Sequence, residues 1–524
     1  MICLWKEYIN KDKFKIKRIY DDKENLLFSL WFVWMAAYYG FRMFSLTPWY
    51  DELYTYYYFI SRGPVYAAIH WPLPNNHVGY SVLSGFLNLL GNPTIGLRGI
   101  SYICALANLA LLYKICRKSF FKGWSFCCVA IYSCMNLVNQ LAVQGRGYTL
   151  AVTCFLTAVF MLQKIGLAKD IGKIKYYVIY SLSLTLGLYV LPSSVYWVIP
   201  VCITGGLFLL LYKKSKALIY LIVSSAVAAV NTVVLYAVIW LAIGSNLLSK
   251  AEDSVFFGQG HIHIICSAPF LAIKTGIGYM LATPYIQSVE RKGYFIKFAG
   301  WLHLLCDQVY SHVSVPLAVV IFIGIIYAVI CGIKKYKADE KECFMLLLFV
   351  AVTMILMPVM LMIQCSLPYF RVFSYMGIPI SIMICAMLQN IMKRKVRYYG
   401  IPAAVSVILA IVLLLSKDYN NEYGTSEYYV RDAFSQTDIR EKVSLCVTDC
   451  YQQYLLKFYW DIDCESIQIE DSDVVLLPKE MMSPDYDGSR WEFYHTYDSV
   501  PWDYINEGME PAYENEEYVL YMKK

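Results

Sequence analysis

Apolar positions along this chain fall in long unbroken runs, not in two-residue alternation or narrow stripes. LLFSLWFVWMAAYYGFRMFSL (26–46), ALIYLIVSSAVAAVNTVVLYAVIWLAIG (217–244) and VPLAVVIFIGIIYAVICGI (315–333) are examples. Roughly 20 apolar residues cross a bilayer core as a helix. A membrane barrel would instead show alternating segments of about ten residues. Only helices and closed barrels satisfy the backbone in lipid. The pattern therefore predicts an all-α polytopic membrane protein of about 11 spans. They fall at 26–46, 94–116, 124–143, 147–166, 176–191, 194–212, 217–243, 314–333, 343–363, 370–391 and 398–416. A crossing or re-entrant helix near 265–285 would raise the number to about 12 or 13.

Between the runs, polar and proline-rich segments set the organisation. Residues 1–25 form a Lys-rich cytoplasmic segment, and 26–416 form the transmembrane domain. Within that domain, 47–92 reads as a first outer loop with two short interfacial helices, and 244–313 as a long outer loop. From 417 the chain turns acidic and Tyr-rich. There VSLCVTD, CYQQYLLKFYW, ESIQI, DVVLLP and EEYVLYM predict strand, helix and further strands. This makes 417–524 a small extracytoplasmic α/β tail domain. The basic start, with no small-residue cleavage site after the first run, reads as a permanent signal anchor.

Charge orients this frame. The clusters KDKFKIKR, RKSFFK, QKIGLAKDIGKIK, YKKSK, KKYKADEKE and KRKVR all fall on one side of the alternating spans. Basic residues mark the cytoplasmic side. The N-terminus is then cytoplasmic, and the 47–92 loop, the 244–313 loop and the tail are extracytoplasmic. The net charge of +6 is dispersed among span ends, so no nucleic-acid partner is implied. Only 16% of the 524 residues are charged, and mean hydropathy is +0.47. A soluble domain carries about 25% charged residues. Most of the 17 Cys lie within apolar runs, as small buried hydrophobes, and no zinc spacing appears. Cys446, Cys450 and Cys464 in the tail are odd in number and predict no disulfide framework.

Candidate chemistry concentrates at the outer ends of the spans. Asp51 and Glu52 follow the first span. A carboxylate in a partly dry cleft suits a general base toward a hydroxyl, although acids also stabilise a helix start. PNNHVGY holds Asn75, Asn76 and His77, as caps or as donors to a phosphate or sugar. Arg98, Arg146 and Arg371 lie near outer span ends, in GLRGIS, QGRGYT and PYFRVF. Arginine there either snorkels or grips phosphate with its fork of donors. Gly145 and Gly147 would permit close approach beside Arg146. His261 and His263 form an HxH without an evident third ligand, and Lys250, Lys274, Arg291 and Lys292 face either anionic head groups or water. The triplets at 461–463, 471–473 and 485–487 match DxD, a pattern that an acidic tail produces by chance.

Taken in order, these segments resemble the GT-C superfamily. More closely, they resemble the family 39 bacterial membrane glycosyltransferases related to protein O-mannosyltransferases and aminoarabinose transferases. The resemblance rests on the Asp51-Glu52 pair, PNNH, LRGISYICALANLALLYKICRK, QGRGYTL and LPYFRVFSYMGIP, and covers about 40–380. His77 is followed by Val, and the late motif reads Tyr-Phe-Arg-Val. The resemblance implies inverting transfer of a sugar from a polyprenyl-phosphate donor to an extracytoplasmic lipid, glycan or protein acceptor. Asp51 would act as base, and Glu52 would orient it or help hold a divalent metal. Asn76, His77, Arg98, Arg146, Tyr148 and Arg371 would bind substrate. No cofactor is otherwise implied. The rival reading is a transporter or flippase of lipid-linked saccharide precursors. Such a protein usually shows repeated halves or matched broken helices, and the sequence displays neither. A receptor built on the small tail would leave the best-marked polar residues unused.

Overall fold

The computed structural model describes residues 23–70, 76–243, 287–288, 291–392, 400–415, 425–436, 445–447, 450–462, 469–482 and 501–524, with isolated helical residues between 262 and 274. Asn75, Lys250, His261, the KRKVR cluster, Asp463, Cys464 and the 485–487 triplet lie outside the described residues. So do 1–22 and most of 265–285.

The apolar runs are helices. The membrane portion runs from α1 (Lys23–Ser45) into three short helices, α2 (Tyr50–Thr55), α3 (Pro64–Ile69) and α4 (Val78–Asn88). It continues through α5 (Pro93–Cys116), α6 (Trp124–Ser133), α7 (Asn136–Ala142), α8 (Tyr148–Gly166), α9 (Ile174–Val190), α10 (Val195–Leu211) and α11 (Ser215–Ile243). After 243 come α12 (Tyr294–Val309), α13 (Ser314–Lys337), α14 (Lys341–Gln364), α15 (Gly377–Met392) and α16 (Gly400–Leu415). Among the described residues, seven helices are long and apolar enough to cross a membrane, or eight if one bent pair counts as a span. The chain is thus a mostly helical, multi-pass membrane protein. Its lipid-facing residues stay apolar and exposed, as with Ile219, Phe322 and Val234.

The bent pair departs from the straight span expected over 124–143. α6 and α7 meet at 72°. The break would strand carbonyls, and the side chain of Asn139 meets them by donating to Ser133 O at 2.8 Å and Met135 O at 2.9 Å. Both helices are buried in protein, where irregular backbone is tolerated. In the 244–313 segment, α12 buries one stripe (Tyr294, Phe298, Trp301, Leu305) and leaves Phe295 and Ile296 exposed. Its mixed polarity hid it from the hydropathy pattern.

The tail is a four-stranded sheet of β3 (Leu445–Val447), β4 (Val474–Pro478), β5 (Met509–Glu514) and β6 (Tyr518–Lys523) in the order β3-β4-β6-β5; a two-stranded pair, β1 (Gln287–Ser288) and β2 (Ser366–Leu367), precedes it in the chain. β3 and β4 are parallel, joined across α18 (Cys450–Trp460), and the other pairings are antiparallel. Every residue of β4 is buried, as a central strand requires. A helix unforeseen in the sequence, α17 (Thr425–Ser435), packs with α18 on this sheet.

Candidate functional site

The site grows from the turn where α1 ends. A helix end leaves carbonyls without partners. Here the Arg98 guanidinium supplies them, with Nη1 donating to Met43 O (3.0 Å) and Leu46 O (2.7 Å) and Nη2 to Thr47 O (3.2 Å). The remaining edge of Arg98 grips Glu52 through two bonds, Nε–Oε1 at 2.8 Å and Nη2–Oε2 at 3.0 Å. Arg98 is 1% exposed and Glu52 0%. Glu52 also reaches back to its own helix start, accepting from Trp49 N–H at 2.9 Å, as the third residue of a capping box does. Gly145 N–H adds a bond to Glu52 Oε1 at 2.6 Å. A Cβ on Gly145 would sit 2.5 Å from the Leu97 side chain and 3.0 Å from Glu52 Oε1. Glycine is what lets this backbone reach the carboxylate.

Asp51 lies one residue earlier, and successive residues of a helix point about 100° apart. Its Oδ2 pairs with Arg371 Nη1 at 3.1 Å, the two side chains being 20% and 24% exposed. The Arg371 guanidinium is held among three rings, 4.9 Å from the centroid of Tyr369, 5.1 Å from Trp49 and 5.9 Å from Tyr148. Such rings hold a cation by the negative face of the π-system while leaving its N–H groups for an anion. Arg146 braces the same helix from beneath. Its Nη1 donates to Asp51 O at 3.2 Å and to Thr55 Oγ1.

His77 completes the cluster. Its Nδ1 accepts from Gly147 N–H at 2.9 Å, so the neutral ring carries its proton on Nε2. That nitrogen lies 3.3 Å from Arg146 Nη2. Two donors therefore face each other, an arrangement that an oxygen acceptor between them would relieve. Burial, with the positive charge of Arg146 and then Arg371 beside it, holds the His77 ring well below the usual histidine range. Tyr148 meets His77 edge-on at 5.1 Å. Asn76 donates to Ala67 O (3.2 Å) and His70 O (2.6 Å) and accepts from Ser81 Oγ (2.6 Å), fastening the start of α4, where His77 sits.

A stability consequence follows from His77. Its folded form stays neutral, while in the unfolded chain the ring takes up a proton near the ordinary value of about 6.5. The unfolded state then binds more protons below that pH. Stability is therefore full above about pH 6.5 and falls as pH drops. His77→Gln is expected to flatten this acid limb in thermal unfolding of detergent-solubilised protein between about pH 7.5 and 5. An unchanged slope would contradict the buried neutral ring.

The structure thus brings Asp51, His77, Arg146, Tyr148 and Arg371 into one cluster. It sets Glu52 and Arg98 behind them in a closed ion pair, and Asn76 beneath. Both Glu52 oxygens are taken up by Arg98, Gly145 and Trp49, so Glu52 does not fit as a metal ligand. Among the described residues no group of three or more His, Cys, Asp or Glu is placed to hold a metal ion. His263 is exposed, and the 471–473 triplet sits in the tail at a turn before β4.

The sequence reading missed the tail's part in this site. Leu53 of α2 is fully buried in the tail's core, with Val430, Ala433, Phe434, Tyr454, Leu455 and Leu456. Tyr50 N–H donates to Glu427 Oε1 at 2.8 Å, Arg431 Nη1 donates to Ser45 O at 2.9 Å, and Tyr57 stacks on Tyr454 at 5.5 Å. The helix bearing Asp51 is held on one side by the bundle and on another by the tail. Trp49 and Tyr369 were also overlooked, although each neighbours a marked charged residue in TPWYDE and PYFR.

No family model matches the chain, and no curated protein does. Two solved structures from Archaeoglobus fulgidus show likeness to it. One is the archaeal oligosaccharyltransferase AglB in complex with an inhibitory peptide and a dolichol-phosphate, at 12% identity and a TM-score of 0.44 over 77% of this chain and 58% of that one. The other is an oligosaccharyltransferase in the apo form, at 11% identity and a TM-score of 0.44 over 94% of this chain and 74% of that one. This chain therefore spans 58% of the length of the first. Likeness of this degree assigns no activity to the chain.

Proposed function

We propose that this protein is a membrane glycosyltransferase that moves a sugar from a polyprenyl-phosphate donor to an acceptor hydroxyl outside the cytoplasm. The observation that carries this reading is the Asp51–Arg371 pair. A partly exposed carboxylate and a partly exposed guanidinium sit in contact, beside Arg146 and His77, at one end of an apolar helical bundle. The donor's chain stays in lipid, so an embedded enzyme is needed, and the Lys/Arg distribution puts this end of the bundle outside.

Asp51 accepts the proton of the acceptor hydroxyl as that oxygen bonds to the anomeric carbon. The bond from that carbon to the phosphate oxygen breaks, and the phosphate keeps the electron pair. Its growing charge falls to Arg371, to Arg146 and to the Nε2 proton of His77. Donor binding also prepares the base, because a phosphate that draws Arg371 toward itself leaves Asp51 open to the hydroxyl. A retaining double displacement needs a second carboxylate as nucleophile. Glu52 is locked in its ion pair, so a single displacement with inversion fits the geometry. The acceptor is carried by a lipid, a glycan or a protein, and the tail, which touches α2, would be the part that meets it.

Lipid mass spectrometry of a deletion strain tests this. A polyprenyl-phosphate sugar is expected to accumulate and to disappear on complementation. A donor pool identical in deletion and parent strains would overturn the reading. A flippase, by contrast, would leave the precursor on the cytoplasmic leaflet, shielded from added membrane-impermeant glycosidase.

A further inference from the structure

A second polar feature lies at the other end of the same helices. α8 begins at Tyr148 in the site above and reaches Lys164 in its last turn, about 24 Å away at 1.5 Å per residue. α5 carries Arg98 near its start, and Lys118 follows its end. The distance approaches the thickness of a bilayer core, about 30 Å. There, between α8, α9 and the turn after α5, lies a cavity of about 320 Å³ lined by Lys118, Lys164 and Lys173 together with Phe160, Gln163 and Tyr176. No carboxylate lines it. Lys118 has an exposed counter-charge in Glu342, 3.8 Å away. Lys164 lies 5.0 Å above the Phe160 ring, so its ammonium is steered along the cavity wall.

We infer that this cavity binds the phosphate head group of an anionic phospholipid. Lysines at span ends are ordinary, but here they converge on a concave space with aromatic walls, the form of an amphiphile's head and upper chain. α8 is buried except for a half-exposed stripe, Thr153, Thr157, Phe160 and Lys164, which leads along the helix into the cavity and offers a track for an acyl chain. Neighbouring α9 turns Ile174, Val178 and Leu182 outward as an apolar, lipid-facing surface. A free phosphate would use the lysines and leave the apolar walls and the stripe unfilled. The inference is independent of the transfer reaction proposed above.

Thermal unfolding of the purified full-length protein in detergent tests it, with added phosphatidylglycerol, phosphatidylcholine or inorganic phosphate. Phosphatidylglycerol is expected to raise Tm saturably, and the other two are not. Lys164→Gln with Lys173→Gln is expected to weaken that response about thirtyfold, from the attraction each lysine contributes. Lys164→Arg with Lys173→Arg is expected to keep it. A response to inorganic phosphate alone would overturn the lipid assignment, as would a phosphatidylglycerol response that survives the Gln pair. Should the Gln pair not fold, equal shifts by phosphatidylglycerol and phosphatidylcholine on the wild type would overturn it on their own.

Discussion

Asp51→Asn is expected to abolish sugar transfer while the protein still inserts and folds. The substitution preserves the shape of the side chain and its place in the first turn of α2, but removes the proton acceptor. Loss of a general base typically costs about 10²–10⁴-fold in rate. In a complemented deletion strain, that should look like no complementation, with the donor lipid accumulating as in the deletion. The structural cost should be small. The Asp51–Arg371 contact is partly solvated, and Arg371 keeps its three aromatic neighbours. An isolated pair of this kind contributes about 1 kcal/mol or less. The backbone bond from Arg146 to Asp51 O does not depend on the side chain. Measuring Tm and membrane level beside the lipid profile separates chemistry from folding. Asp51→Asn cells with a normal donor pool would sink the proposed mechanism.

Much of this arrangement was legible along the chain, for a simple reason. Apolar runs report helices wherever the surrounding lipid imposes the same demand on every turn. Lys/Arg bias predicts residues 51, 77, 146 and 371 on one face, and the structure brings their side chains within contact distance. Linear order could not show which pairs form. Asp51 and Glu52 look alike as adjacent acids, and only the turn of a six-residue helix sends one to Arg371 and the other to Arg98. The α6–α7 bend escaped for a different reason. The polar side chain that closes it, Asn139, is indistinguishable in sequence from a residue that merely interrupts an apolar run. The tail's hold on α2 depends on Leu53, one apolar residue in an aromatic stretch, finding a core some 400 residues downstream. Local pattern carries no trace of such a contact.

Removing either partner of the Glu52–Arg98 pair is expected to lower stability by about 3–5 kcal/mol, since each leaves an uncompensated buried charge. Glu52→Gln leaves the Arg98 guanidinium facing a neutral amide in a closed interior. Arg98→Met leaves Glu52 charged, and also strips donors from Met43 O, Leu46 O and Thr47 O at the end of α1. Arg98→Met should therefore be the worse of the two. The double variant removes both charges but not the second defect, so it should recover part of the loss and no more. A double-mutant cycle on Tm in detergent measures the coupling. The same cycle distinguishes two roles for Glu52. As the support that sets the angle of α2, its loss lowers Tm, and activity per folded molecule falls only as far as Asp51 is displaced. As a group acting on substrate, its loss would silence transfer at an unchanged Tm. The closed geometry around Glu52 predicts the first outcome, and a silent, fully stable Glu52→Gln protein would refute it.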